Sequence, residues 1–172
     1  MPPITNRDDP EIIRANLKPF LEGDLLSWHG LPQLSVTSLF AAFGQPQKQE
    51  TVNMGWYPAQ RLTYPMDVPS GGLAAYVRDK RVLLIEALIT PSNIILEYLG
   101  SPSAIKPHEI IRPGAYVHEY LFCKKGLVLS VAEPFDKNQP LQIIRVRGIQ
   151  PLERPEQYGP EFHRSVEDET VW

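Results

Sequence analysis

Apolar residues recur at helical spacing in three short stretches of the chain and at alternate positions in six others. The first helical stretch follows Asp8-Asp9-Pro10-Glu11, an acidic start with proline at the first turn, and carries Ile12, Ile13, Leu17, Phe20 and Leu21 on one side. The second, Thr37-Ser-Leu-Phe-Ala-Ala-Phe-Gly-Gln-Pro46, and the third, Asn93-Ile-Ile-Leu-Glu-Tyr-Leu-Gly-Ser-Pro102, share one plan. Ser35 or Thr37 and Ser92 or Asn93 are N-cap candidates, an apolar face follows, and Gly44 and Gly100 suit a left-handed C′ position. Pro46 and Pro102, two residues on, cannot continue the helix.

The strand-like runs fall into two groups of three. Arg61–Pro65, Leu73–Val77 and Arg81–Leu88 follow the second helix, separated by Gly71-Gly72 and by a polar Arg78–Lys80 turn. Ala115–Cys123, Leu127–Ala132 and Leu141–Ile149 follow the third, separated by Lys124-Lys125-Gly126 and by a loop at Glu133–Pro140. Turns this short join antiparallel neighbours. The predicted fold is therefore α+β: two tandem repeats, each a helix plus a three-stranded antiparallel meander, forming a sheet with helices on one face. In this reading residues 1–34 are an N-terminal helix and connector, 35–90 the first repeat, 91–152 the second, and 153–172 an acidic C-terminal segment of the same compact domain, expected to begin as a wrapping segment through Tyr158 and Phe162.

This repeat plan, carried mainly by Gly44-Gln45-Pro46 and Gly100-Ser101-Pro102 over about residues 35–152, resembles the tandem-repeat fold of the beta-lactamase inhibitor proteins and of related small outer-membrane assembly lipoprotein domains. The resemblance implies a sheet fold and a protein-binding style, and no catalytic residue. It departs from those exported families in lacking a visible export or lipidation signal, and the paired disulfides common in the inhibitor cannot form.

Composition narrows the chemistry. The 18 prolines among 172 residues are about twice the usual share, in keeping with short elements and many turns. Cys123 is the one cysteine, so neither an intrachain disulfide nor a Cys-rich zinc site is possible, and a reducing, cytoplasmic setting is expected. The start of the chain has no signal-peptide pattern, and no apolar run is long enough for a membrane helix. The net charge of −3 is concentrated in 153–172, leaving a nearly neutral body without the basic stripe of a nucleic-acid binder.

No catalytic constellation emerges. His29, His108, His118 and His163 are far apart in sequence, with no paired-imidazole motif, so neither metal nor other cofactor is expected. Cys123 reads as a small buried thiol despite Lys124 and Lys125, and Ser70-Gly71-Gly72 reads as a turn. The chain is expected to be a non-enzyme.

Binding chemistry is better represented. Asn53-Met-Gly-Trp-Tyr-Pro58 either folds back over the core or presents Trp56 and Tyr57 to a partner. Alternation places Tyr116, His118, Tyr120 and Phe122 on one face of their strand, and Arg145 and Arg147 with Ile143 and Ile149 on one face of theirs. If the register unites His118 and Tyr120 with Arg145 and Arg147, the open sheet face becomes an aromatic and basic patch for another protein. The expected function is accordingly non-catalytic protein binding, as an inhibitor or immunity-type protein that blocks a bacterial toxin or enzyme. The alternative is an adaptor, a chaperone or a structural component of a larger assembly.

Overall fold

A computed structural model describes residues 9–67, 71–88, 90–107 and 113–163. His108, Ser70 and the acidic run Glu167-Asp168-Glu169 lie outside the described residues.

The first helix, α1 (Pro10–Leu21), starts where Asp9 accepts a hydrogen bond from the Glu11 amide at 2.8 Å, and it buries Ile13, Leu17, Phe20 and Leu21. The second, α2 (Val36–Phe43), is capped by Ser35, whose hydroxyl accepts from the Ser38 amide. The third, α3 (Ile95–Leu99), has no side-chain cap, because Asn93 instead accepts a hydrogen bond from the Ile143 amide and ties the helix to the sheet. Gly44 and Gly100 end α2 and α3 at φ +78° and +77° with ψ near −160°. That combination is extended rather than left-handed helical, and it is essentially restricted to glycine.

Eight strands complete the fold: β1 (Lys48–Met54), β2 (Tyr57–Tyr64), β3 (Leu73–Arg78), β4 (Arg81–Ala87), β5 (Ala104–Pro107), β6 (Ala115–Phe122), β7 (Leu127–Pro134) and β8 (Gln142–Gly148). They form one antiparallel sheet in the order β1-β2-β3-β4-β8-β7-β6-β5. This corrects the expected pair of three-stranded meanders: strands outweigh helices, and four strands stand on each side of the β4–β8 junction. The additional strands, β1 and β5, are the two edges. Edge strands resist detection because charge and proline protect them from unwanted pairing. Lys48, Gln49, Glu50 and Thr51 make β1 polar, and β5 has four residues and ends at Pro107.

Helices cover one sheet face. Ile13, Leu17 and Phe20 of α1 and Leu39 of α2 join Leu62, Leu73, Ala75, Ile85, Leu129 and Val146 in one buried cluster. Alternate residues, among them Val52, Ala59, Ala74, Leu84, Leu121 and Val128, point to the other face. That face is not left open as expected: the chain after β8 crosses it, adding Ile149, Tyr158, Leu152 and Phe162 to a second apolar cluster.

Two bulges decide which side chains face which way. The pairings Tyr76↔Leu84 and Val77↔Val82 leave Leu83 as an extra residue in β4, while Ser130↔Arg145 and Val131↔Ile143 do the same for Ile144 in β8. Simple alternation fails there, so Ile143 joins the helix-side core with Val146 rather than sharing the face of Arg145 and Arg147.

The β4–β8 seam is narrow, with only Ile85↔Gly148 and Glu86↔Arg147 in register. Side chains reinforce it. Trp28 is buried, lies 4.9 Å from the Phe20 ring and donates through Nε1 to the Gly126 carbonyl. A Cβ on Gly148 would fall 2.9 Å from the Trp28 ring, so glycine lets both aromatics sit against the seam.

Candidate functional site

Three surfaces carry the residues singled out by sequence. The first is the β1–β2 hairpin, closed by the two-residue turn Gly55-Trp56 between the paired Met54 and Tyr57. Glycine at φ +64° in the first central position suits a tight turn of primed type. Met54 enters the core, whereas Trp56 is 90% exposed and Tyr57 63% exposed. The tip is braced on two sides. Arg78 donates to the carbonyls of Met54 and Tyr57 at 2.9 and 3.4 Å, with its guanidinium 5.3 Å from the Tyr57 ring centroid. The Gly55 amide donates to the His163 carbonyl at 2.7 Å. The loop thus presents its aromatics rather than folding them back.

The second surface is the sheet face opposite the helices. Arg147, expected in the open, is 3% exposed. Its Nη2 donates to Glu119 Oε1 at 2.6 Å and its Nη1 to the Phe162 carbonyl at 3.0 Å. Glu119 is fully buried and also lies 3.5 Å from His163 Nδ1. Burial alone would lower the Arg147 pKa, but Tyr158, Glu119 and Glu86 outweigh it and hold the guanidinium charged. Burial pushes the Tyr158 phenol up, and Glu119 adds to this against the opposing pull of Arg147. Arg145 reaches Glu86 at 3.8 Å. Farther along, Arg61 sits between Glu50 and the Tyr76 hydroxyl. Alternating charges thus offset one another across this face, and the expected basic patch does not form.

The third surface lies at the β6–β7 end of the helix-side face. Tyr116, His118 and Tyr120 project there opposite Glu133, Val131 and Leu129 of β7. The Tyr120 hydroxyl donates to Glu133 Oε1 at 2.9 Å, and His118 Nδ1 lies 3.4 Å from the same oxygen. Burial, helped by Glu133, pushes the Tyr120 phenol up to about 12. Beside this group the Tyr116 and Phe135 rings meet edge to face at 4.7 Å. With Glu133, Pro134, Lys137, Gln139, Pro140 and Leu141 they line an open groove of about 770 Å³.

No family model matches the chain. No curated protein shows significant similarity to it. Among solved structures, a DUF4309 family protein, YjgB, from Bacillus subtilis subsp. subtilis str. 168 aligns at a TM-score of 0.38 with 14% identity, covering 84% of this chain and 99% of that one. A likeness of that size carries no argument about fold or function.

The six residues singled out by sequence therefore divide into three places. Trp56 and Tyr57 share the hairpin tip; His118 and Tyr120 share the Glu133 cluster; Arg145 and Arg147 lie on the opposite side of the sheet. Sequence reasoning missed Glu119, Glu133 and Phe135 as site residues, whereas the wrapping segment expected through Tyr158 and Phe162 is present and packs on the second apolar cluster. A signal was present for one of them: Glu119 interrupts the otherwise apolar series Val117, Leu121, Cys123, a place where only a paired charge is tolerated. Among the described residues no group of three or more His, Cys, Asp or Glu side chains is arranged to hold a metal. No helix among them is long and apolar enough to cross a membrane. Cys123 is buried.

Proposed function

We propose that this chain is a cytoplasmic, non-catalytic protein that works by binding another protein, and that it blocks its target by occupying it. The observation that supports this reading is the braced hairpin tip, where Trp56 stands almost wholly in solvent on a two-residue turn. Tryptophan and tyrosine dominate binding hot spots, and a rigid presentation lowers the entropic cost of association. The brace from Arg78 and the His163 carbonyl supplies that rigidity; the guanidinium lies over one face of Tyr57 and the Trp56 ring stays in solvent.

The test is affinity capture of the tagged chain from its native cells, comparing wild type with Trp56→Ala/Tyr57→Ala. The expected result is a stoichiometric protein partner that is lost from the variant while its thermal melt stays at the wild-type value. Titrating the purified partner then separates roles: a fall in the partner's activity marks an inhibitor, and unchanged activity marks an adaptor or assembly component. Retention of the same partner by the variant, or recovery of the wild-type chain alone, refutes the reading.

A further inference from the structure

We propose that the groove beside β6 and β7 is a binding site for a small organic cation of the ammonium class, seated against Tyr116 and Phe135 with its charge on Glu133. The site is separate from the hairpin tip and does not depend on the protein-binding reading. Its volume, about 770 Å³, falls within the roughly 300–1,000 Å³ of small-molecule sites. Two kinds of group converge on it, and each favours positive charge.

The first is the aromatic pair. Tyr116 and Phe135 are 64% and 57% exposed although their rings contact one another at 68° between planes. Two rings inclined in this way form a corner, and the negative face of an aromatic ring attracts a cation that approaches within about 6 Å of its centroid. Leaving two such rings in water has no packing benefit. A ligand that covers them supplies one.

The second is Glu133. The hydrogen bond from Tyr120 falls on Oε1, as does the approach of His118 Nδ1, so the carboxylate is oriented by Tyr120 and Oε2 is left to a ligand. Tyr120 is itself packed against the helix-side core, so the carboxylate is held by a donor with little freedom to move. Tyr120 is the positioning residue in this scheme, and Glu133 is the charge partner. Lys137 brings an opposing charge from the exposed segment between β7 and β8. It disfavours a bare cation and accommodates one whose remaining portion is neutral or anionic, which sets the direction of a second mutational effect.

Choline and its neutral isostere 3,3-dimethylbutan-1-ol make the decisive pair, since they match in shape and differ in charge. Calorimetric titration of the full chain, with amide and aromatic chemical shifts followed in parallel, should show saturable choline binding. The shift changes should centre on Tyr116, Glu133 and Phe135, and the neutral analogue should bind at least about tenfold more weakly. Glu133→Gln and Phe135→Ala should each weaken choline binding by about fivefold or more, whereas Lys137→Ala should strengthen it. Thermal melts of the variants serve as the folding control. Equal binding of the two isosteres, no saturable choline binding, or affinity unchanged in both Glu133→Gln and Phe135→Ala would each overturn the proposal.

Discussion

Replacing Arg147 with methionine isolates the physics of the covered sheet face. In the wild type the Arg147 guanidinium and the Glu119 carboxylate are almost completely removed from water and meet at 2.6 Å. Arg147→Met keeps a long apolar side chain but takes the guanidinium away from Glu119, which keeps His163 at 3.5 Å, and removes the donor to the Phe162 carbonyl. Breaking a buried pair by deleting one partner costs about 3–5 kcal/mol, since the remaining charge keeps its desolvation penalty without its partner. For a chain of this length each kcal/mol moves the melting temperature by about 2–4 °C, so the expected drop is about 6–20 °C. Urea unfolding followed by circular dichroism and a calorimetric melt would measure it. The double variant Glu119→Leu/Arg147→Met should recover most of the loss, because two apolar side chains of suitable size need no charge partner. A loss under about 1 kcal/mol for Arg147→Met, or a double variant no better than the single one, would refute the account of this face as a desolvated ion pair.

Other expectations follow from the same geometry. Gly148→Ala should cost about 1–3 kcal/mol in chemical denaturation, because its Cβ would meet Trp28 at 2.9 Å and Phe20 at 3.1 Å; a neutral effect would show that the seam is loosely packed. Trp28→Ala should cost about 3–5 kcal/mol, combining a large cavity with loss of the bond to the Gly126 carbonyl, and a melt within a few degrees of wild type would contradict its place in the core. Burial pushes the phenols of Tyr64 and Tyr120 up to about 12 from an ordinary 10, so below about pH 10 both states hold the proton and stability is full. Between about pH 10 and 12 the unfolded chain ionises first and stability falls as pH rises; a Tyr64→Phe/Tyr120→Phe variant should lose part of that slope in alkaline unfolding curves. By contrast Trp56→Ala should change stability by no more than about 0.5 kcal/mol, since the side chain packs against little.

How far the sequence reaches is clearest from particular residues. The start of α1 was legible because Asp9-Pro10 is a local signal, and the Gly-x-Pro stops after α2 and α3 were legible for the same reason. The strands with apolar alternation, β2 to β4 and β6 to β8, were legible within a few residues at each end. Both edges escaped because their pattern is governed by avoidance of pairing rather than by a core. The site was less legible than the fold. The parity of Ile143 against Arg145 depends on a bulge at Ile144 that no local rule announces, and Arg147 was assigned to solvent because a lone arginine usually belongs there. Its pairing with Glu119 spans 28 residues; the wrapping of the chain through Tyr158 and Phe162 was legible from those two aromatics, but which sheet face they cover is a tertiary fact.

The narrow seam has a mechanical meaning. Two registered pairs join β4 to β8, whereas β6 and β7 share eight and β1 and β2 share seven. Stiffness within a sheet comes from its ladder of hydrogen bonds, so compliance concentrates where the ladder is shortest. The molecule is in effect two stiff plates with a waist at residues 85–86 and 147–148, where Phe20 and Trp28 pack against Gly148. A load applied across the sheet bends it there, and amide exchange in the seam should respond to strain before exchange in either plate.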